Sequence, residues 1–367
     1  MPLLPGFNRR RHRNLKTCTD LPINRGAALS ARVSVSSSRA KSGYITKRGH
    51  QQLFEQSLAE LTSYAIAWSL IGVIALADIY WLSKTGFRVV FGASSRTFVA
   101  IMAIVLVACW TDYRAKAICN GNAAWRARLL DLAFTGRWMV ALLTFCSATS
   151  ILSHLSVAVA APLIDDQLVK IDQAVGFDWL AYYQWVRHHP VLVFVLNAAY
   201  ASGLVQMIAV PMILGLLGRR TELVHHMARL MIATLICLAI ATPFPAASAF
   251  LHFHVPDPGT SETVSTFFPI REGLLRTIDL THSQGLVSLP SMHTTTAILF
   301  AYALRRVHFL ARAAIALNSL MVISTPTNGG HYLCDVAAGI MLAVLVIVLI
   351  NDRRFRGALG DKRAVIS

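Results

Sequence analysis

Charge is scarce in this chain, and acid is scarcer still. Only 14% of the 367 residues are charged, with 18 Asp and Glu against 34 Lys and Arg. An average soluble domain carries roughly 25% charged residues, so this composition argues against a soluble globular protein. Cysteine is sparse too, and none of the six stand in a Cys-x-x-Cys pair or at metal-ligand spacing. Cys109, Cys146, Cys237 and Cys334 fall in or at apolar segments, and Cys18 and Cys119 flank them. Neither a disulfide framework nor a zinc site is indicated, and no cofactor is expected. The first 50 residues have no apolar core of the kind a secretory signal needs. No internal repeat is evident.

What fills the chain instead is apolar: 55% of it, in runs long enough to cross a bilayer. Eight spans are expected, at about 61–81, 97–111, 138–161, 191–217, 229–251, 289–304, 309–325 and 331–350. The fourth is long enough to be tilted, or broken near Gly203 or Pro211, and Pro243 and Pro245 should kink the end of the fifth. The fold class is therefore all-α and polytopic. Its parts are a basic disordered cytoplasmic tail (1–55), two accessory transmembrane helices with a cytoplasmic loop (56–137), a membrane bundle (138–350) and a second basic tail (351–367).

The net charge of +16 invites a nucleic-acid partner, but its distribution does not support one. Eleven of the basic residues lie in the first 48 positions, where Asp20 is the only acid, and most of the others border the apolar runs. Such a tail meets an anionic inner leaflet without nucleic acid. It also has the Arg- and Ser-rich look of an organellar transit peptide, an alternative that the residues leave open. With the N-terminus inside, the inner segments hold 27 Lys and Arg, and the outer ones hold seven. That asymmetry predicts both termini on the cytoplasmic side. The expected membrane is a bacterial inner membrane, with the outer loops periplasmic, or lumenal in an organelle.

Two outer loops are long, residues 162–189 and 252–288. Long ordered loops are where binding residues gather. Two polar clusters begin spans at that same face. In the second, "STPTNGGHYLCDVAAG", His331 and Asp335 are four apart and so share a helical face. An aspartate within an apolar span is costly unless it is paired or faces a cavity. A carboxylate that accepts the Nδ1 proton of His331 leaves Nε2 free as nucleophile or base. Gly329 and Gly330 let backbone come close to a ligand there. In the first cluster, "SLPSMH", Ser288 can cap the helix and Pro290 suits its first position. The unpaired amides that follow favour an anion, and His293 stands close enough to protonate a departing oxygen. An anion site, an acid and an oriented nucleophile suit phosphoryl transfer through a phosphohistidine.

At these residues the chain resembles the type 2 phosphatidic acid phosphatase superfamily. More narrowly, it is similar to the divergent branch that includes inositol phosphorylceramide synthase and sphingomyelin synthase. The family's second motif, Pro-Ser-Gly-His, corresponds to Pro290-Ser291-Met292-His293. Its third, Ser-Arg, five residues, His, three residues, Asp, corresponds to Ser324-Thr325, His331 and Asp335. The resemblance extends more loosely over about residues 160–350 and implies a six-helix catalytic bundle. It implies His331 as nucleophile, Asp335 as its orienter and His293 as the acid, with Ser291 and Ser324 in the phosphate site. The substrate it implies is a lipid phosphate ester, phosphodiester or diphosphate, with water or an alcohol as acceptor and no metal.

Three departures accompany the match. The family's first motif, which ends in Arg-Pro, is missing, and Thr325 and Met292 replace the usual arginine and glycine. Arg271 and Arg276, just ahead of the second motif, are the candidates for restoring positive charge. A catalytically degenerate lipid-binding protein or transporter is the alternative reading. A metal or haem site on His293 and His331 would want a third or fourth ligand, and Asp335 is the only obvious one. His252, His254 and His282 read as interfacial, and Asp78 as an intramembrane acid with no partner visible in sequence. Asn197, Tyr200, Gln206 and Asn318 read as hydrogen-bonders between helices.

Overall fold

Hydrocarbon offers the backbone no hydrogen-bond partner, so a spanning segment must satisfy itself, and helix does so within one segment. A computed structural model describes residues 38–117, 123–255, 266–280 and 286–351, and helix dominates them. The expectations for residues 1–37 and 352–367, and for His282, lie outside the described residues. The membrane helices are α1 (Ser38–Thr85), α2 (Phe91–Ala117) and α3 (Ala123–Ala158), then α6 (Pro190–Leu216) and α7 (Arg220–Ala241). The last three are α10 (Met292–Leu304), α11 (His308–Asn328) and α12 (Leu333–Asn351). Between them lie the short helices α4 (Asp165–Ala174), α5 (Trp179–Arg187), α8 (Ala249–His252) and α9 (Phe267–Arg271). Seven of the helices are long and apolar enough to cross a membrane, and α10 is a shorter apolar helix. The chain is an all-α, polytopic integral membrane protein.

Several boundaries differ from those the sequence suggests. Residues 38–55, expected as tail, continue α1 toward the N-terminus. The fifth span runs from Arg220 to Ala241 rather than from 229 to 251, because Pro243 and Pro245 cannot extend it. Arg229, expected at the edge of an inner loop, is thereby buried inside α7. The fourth span is one continuous helix that carries Pro211 within it. The sixth is only 13 residues, about 20 Å at 1.5 Å per residue. A hydrocarbon core is roughly 30 Å thick, so α10 by itself does not reach across one.

The two ends of the bundle are distinct. At one end a two-stranded parallel sheet joins β1 (Arg88–Val89), after α1, to β2 (Thr277–Ile278), ahead of α10. Beside it Arg276 Nη1 donates to the Thr85 carbonyl at 2.8 Å. At the opposite end Arg220 pairs with Asp131 at 2.8 Å and Glu60 at 3.4 Å, and Arg219 donates to the Arg306 carbonyl at 2.9 Å. Successive membrane helices therefore alternate in direction, and α4, α5, α8 and α9 all gather at the sheet end.

The main core is drawn from α3, α6, α7, α10 and α12, with Trp138, Phe145, Leu214, Met227, Phe300 and Val346 almost fully enclosed. Helix α1 adds Ala67, Ile71 and Ile74 to it. Apolar side chains also cover the outside: Leu204 is 80% exposed and Phe309 75%. In water such a surface would aggregate, whereas acyl chains solvate it.

Candidate functional site

The third-motif segment is shaped by its glycines. Gly329 ends α11, and Gly330 follows with φ +63°. A Cβ on Gly330 would lie 2.2 Å from Ser248 Oγ, so no side chain fits. Its carbonyl accepts from Ser248 Oγ at 3.1 Å and from Ala249 N at 2.8 Å, which ties the turn to α8. Helix α12 then begins at Leu333, so His331 precedes the helix rather than lying on its face. The His–Asp pair still forms, with His331 Nδ1 3.4 Å from Asp335 Oδ2. Asp335 also accepts from the Tyr332 amide at 3.0 Å, the return half of a capping box. Its Oδ2 also accepts from the Ser288 hydroxyl, at 2.6 Å. Ser288 Oγ lies 3.4 Å from His331 Nδ1 as well. Asp335 is wholly buried, as is the Ser288–Asp335 hydrogen bond.

Two aspartates of the 162–189 segment hold this turn from outside. The carboxylate of Asp172, on α4, accepts from the amides of Leu333 at 2.7 Å and Cys334 at 2.9 Å. Those are amides that α12 cannot satisfy by itself. Asp165 accepts the Tyr332 hydroxyl at 2.8 Å and the Ala247 and Ser248 amides. Burial first, and then the Asp165 charge, hold the Tyr332 phenol above its ordinary pKa. Trp179 Nε1 donates to the His331 carbonyl at 3.1 Å. The sequence reading missed these anchors. Asp165 and Asp172, seven residues apart and so on one face of a helix, were the available signal.

The second-motif segment is built differently from its expectation. Ser288 does not cap α10. Ser291 does, accepting from the Thr294 amide at 3.3 Å, because the helix starts only at Met292. The Leu289–Pro290 peptide is cis. The Ser291 amide donates to the Asp335 carbonyl at 3.0 Å, and so joins the two motifs through backbone. His293 is the second residue of α10, and its ring centroid lies 6.4 Å from that of His331. The ring of Tyr200, from α6, stacks on His293 at 4.2 Å, with its hydroxyl 3.2 Å from Nδ1.

The remaining predicted residues are placed as follows. Ser324 is buried, and its hydroxyl donates to the Met321 carbonyl of its own helix at 2.7 Å. Thr325, where the motif has arginine, lies 3.4 Å hydroxyl to hydroxyl from Thr294 on α10. Arg276 is exposed and donates to the Gly273 and Thr85 carbonyls. Arg271 donates through Nη2 to the Ala161 carbonyl at 2.8 Å and stacks on Phe267, while its buried Nη1 has no partner. Burial lowers the Arg271 pKa and nearby Asp165 opposes that shift. Asp78 is buried in α1 with both carboxylate oxygens unpartnered. Gln206 and Asn318 do bridge α6 and α11, at 2.8 Å. Among the described residues no group of three or more His, Cys, Asp or Glu is placed to hold a metal ion.

The geometry thus brings the two motifs, 30 residues and more apart in sequence, into one buried cluster at the sheet end of the bundle. No curated protein and no solved structure matches the chain. A family model described as the PAP2 superfamily matches residues 166–349, from the start of α4 almost to the end of α12. That is half of the chain, it contains both histidines and Asp335, and on it the chain belongs to the PAP2 superfamily.

Proposed function

We propose that the protein is a membrane phosphatase or phosphotransferase acting on a lipid phosphate ester, phosphodiester or diphosphate. The observation that carries this reading is the pairing of two histidines 6.4 Å apart, one of them with Nδ1 3.4 Å from a buried carboxylate. With Nδ1 of His331 turned to Asp335, Nε2 is the nucleophile. It attacks phosphorus, the bond from phosphorus to the lipid oxygen breaks, and that oxygen takes the bond pair and a proton from His293. The phosphohistidine is then attacked by the oxygen of water or of an alcohol. His293 accepts the proton released, and the N–P bond breaks to restore His331.

The electrostatics favour a divergent member, of the kind that includes inositol phosphorylceramide and sphingomyelin synthases. Thr325 puts a hydroxyl, 3.4 Å from that of Thr294, where the common family pattern supplies an arginine. The first amides of α10 have no intrahelical acceptor, and their dipoles point at an incoming phosphate. In this reading Ser291 and Ser324 belong to the phosphate site, and Arg271, whose buried Nη1 has no protein partner, is the cation assigned to it. The site opens on the periplasmic or lumenal face, with both termini in the cytoplasm. A lipid phosphate and the bilayer are the partners, an alcohol is the second substrate in a transfer reaction, and nucleic acid and metal have no part.

A second reading, a lipid-binding protein or transporter without turnover, draws on Arg276 being bound to backbone carbonyls. One experiment separates the two. Purified protein in detergent is given a panel of lipid phosphates and diphosphates, with and without acceptor alcohols, in the presence of chelator. Phosphate release or transfer by the wild type, inhibited by vanadate and lost in His331→Ala, is the expected result. Turnover surviving in both His331→Ala and Asp335→Ala would sink the mechanism.

A further inference from the structure

Helix α6 meets the site through one face. Tyr200 and Gly203 are three residues apart and adjacent on that face, and His293 packs against both. The Tyr200 ring is stacked on the imidazole at 4.2 Å between centroids and 21° between planes. On the neighbouring side, a Cβ added to Gly203 would come within 3.8 Å of His293 Cδ2. Tyr200 thus covers one face of the imidazole, and the missing side chain of Gly203 leaves room beside Cδ2. The Tyr200 hydroxyl stands 3.2 Å from Nδ1, within hydrogen-bond reach. It also reaches the His331 side of the site. A Cβ on Gly329 would lie 2.9 Å from the Tyr200 hydroxyl and 2.7 Å from His331 Cδ2, so both groups border the same empty point.

We infer that Tyr200 is the positioning residue of His293: it occupies Nδ1 and leaves Nε2 as the nitrogen that gives the proton to the leaving oxygen. The inference rests on the proposed phosphoryl transfer and adds a member to its machinery from outside both motifs. Each nitrogen of an imidazole is set by the bond the other makes. When His293 carries protons on both nitrogens, Nδ1–H donates to Tyr200 Oη, and the Nε2 proton is the one free to leave. Once it has left, the ring is neutral and Nδ1–H still donates to Tyr200, so no tautomer change is needed before Nε2 takes the proton of the incoming water. His331 Nδ1 instead faces Asp335 at 3.4 Å, with the Ser288 hydroxyl equally near. An acid served by a neutral phenol and a nucleophile served by a carboxylate are tuned to different extents. The carboxylate raises the basicity of its imidazole, and the phenol adds no negative charge.

The test compares two substrates that differ in their need for an acid. One is dodecyl phosphate, whose alkoxide leaves poorly without a proton. The other is a nitrophenyl phosphate bearing the same dodecyl chain, whose phenolate leaves unaided. Full-length wild type, Tyr200→Phe, His293→Gln and His331→Ala are assayed on both. Tyr200→Phe keeps the stacked ring and loses only the hydroxyl. It should lower kcat for the alkyl substrate by about tenfold, the worth of one hydrogen bond, with KM unchanged. The loss on the aryl substrate should be no more than about a third of that, and His293→Gln should show the same selectivity more strongly. Equal losses on both substrates, or no loss on either, would overturn the role of Tyr200 while His331→Ala still reported phosphoryl transfer. Turnover retained by His331→Ala, or no turnover by wild type, would instead remove the proposed function itself. If Tyr200→Phe does not fold, ring-nitrogen NMR shifts of His293 in the wild type decide the matter. A proton retained on Nδ1 as pH is varied supports the inference, and one exchanging at Nδ1 overturns it.

Discussion

Ser288 and Asp335, 47 residues apart in sequence, share a buried hydrogen bond of 2.6 Å, shorter than any other contact of the Asp335 carboxylate. Ser288 precedes the second motif and Asp335 ends the third, so this bond locks the acid half of the site to the nucleophile half. The same oxygen of Asp335 serves Ser288, the Tyr332 amide and His331, while the buried Oδ1 has no protein partner. The carboxylate orientation thus depends on Ser288.

Replacing Ser288 with Ala should therefore reduce turnover more than stability. Losing a charge-assisted donor to a buried carboxylate costs about 1–3 kcal/mol. Spent on the orientation of His331, that is a fall of roughly ten- to a hundredfold in kcat. Phosphate release from a lipid phosphate measures it, and a Ser288→Ala enzyme as fast as wild type would show that Asp335 is held without it.

Asp172→Ala should do the reverse and act first on stability. It strips the amides of Leu333 and Cys334 of their acceptor at the start of α12. A lost cap costs typically about 1 kcal/mol, and two amides about 2 kcal/mol. Thermal unfolding of purified protein in detergent should show a lower Tm. Asp172→Asn, which keeps an acceptor oxygen for one of the two, should fall between. An unchanged Tm in Asp172→Ala would mean that solvent replaces the carboxylate at no cost.

The two loop arginines should separate. Arg276 staples α9 and β2 to the end of α1 through backbone carbonyls, whereas Arg271 keeps one buried nitrogen unpaired. Arg271→Lys should raise KM for a lipid phosphate by about tenfold with kcat little changed, since lysine cannot reproduce a guanidinium fork. Arg276→Lys should leave KM within about twofold. Initial-rate kinetics over a range of substrate decide this, and the opposite order would move the phosphate clamp to Arg276.

Orientation in the membrane is checked by reporters. A fusion after Arg276 should score as external and one after Arg306 as internal, because the positive charge is concentrated at the Arg306 end. The reversed pattern would place the site on the cytoplasmic face and exclude an outer-leaflet substrate.

How far the sequence reached can be judged residue by residue. His331 and Asp335 could be paired by spacing alone, since four residues bring side chains together near a helix start even though α12 begins two residues later than expected. His293 could be placed in a first helical turn because Pro290 marks a helix start. Hydropathy alone starts the fifth span nine residues too late, because apolar character runs on through Pro243 and Pro245 while helix geometry does not. A serine just ahead of a Leu-Pro pair looks like a cap whether it bonds its own helix or, as Ser288 does, another one.

The sequence by itself determined that the chain is a helical membrane protein and which histidines belong together, because hydrophobic length and short-range spacing are local properties. Only the tertiary structure decided that Ser288 holds Asp335, that Asp165 and Asp172 anchor the turn bearing His331, and that Tyr200 of α6 faces His293. Those contacts join residues from 43 to 167 positions apart. Their partners are chosen by how the helices pack, which no local pattern of residues encodes.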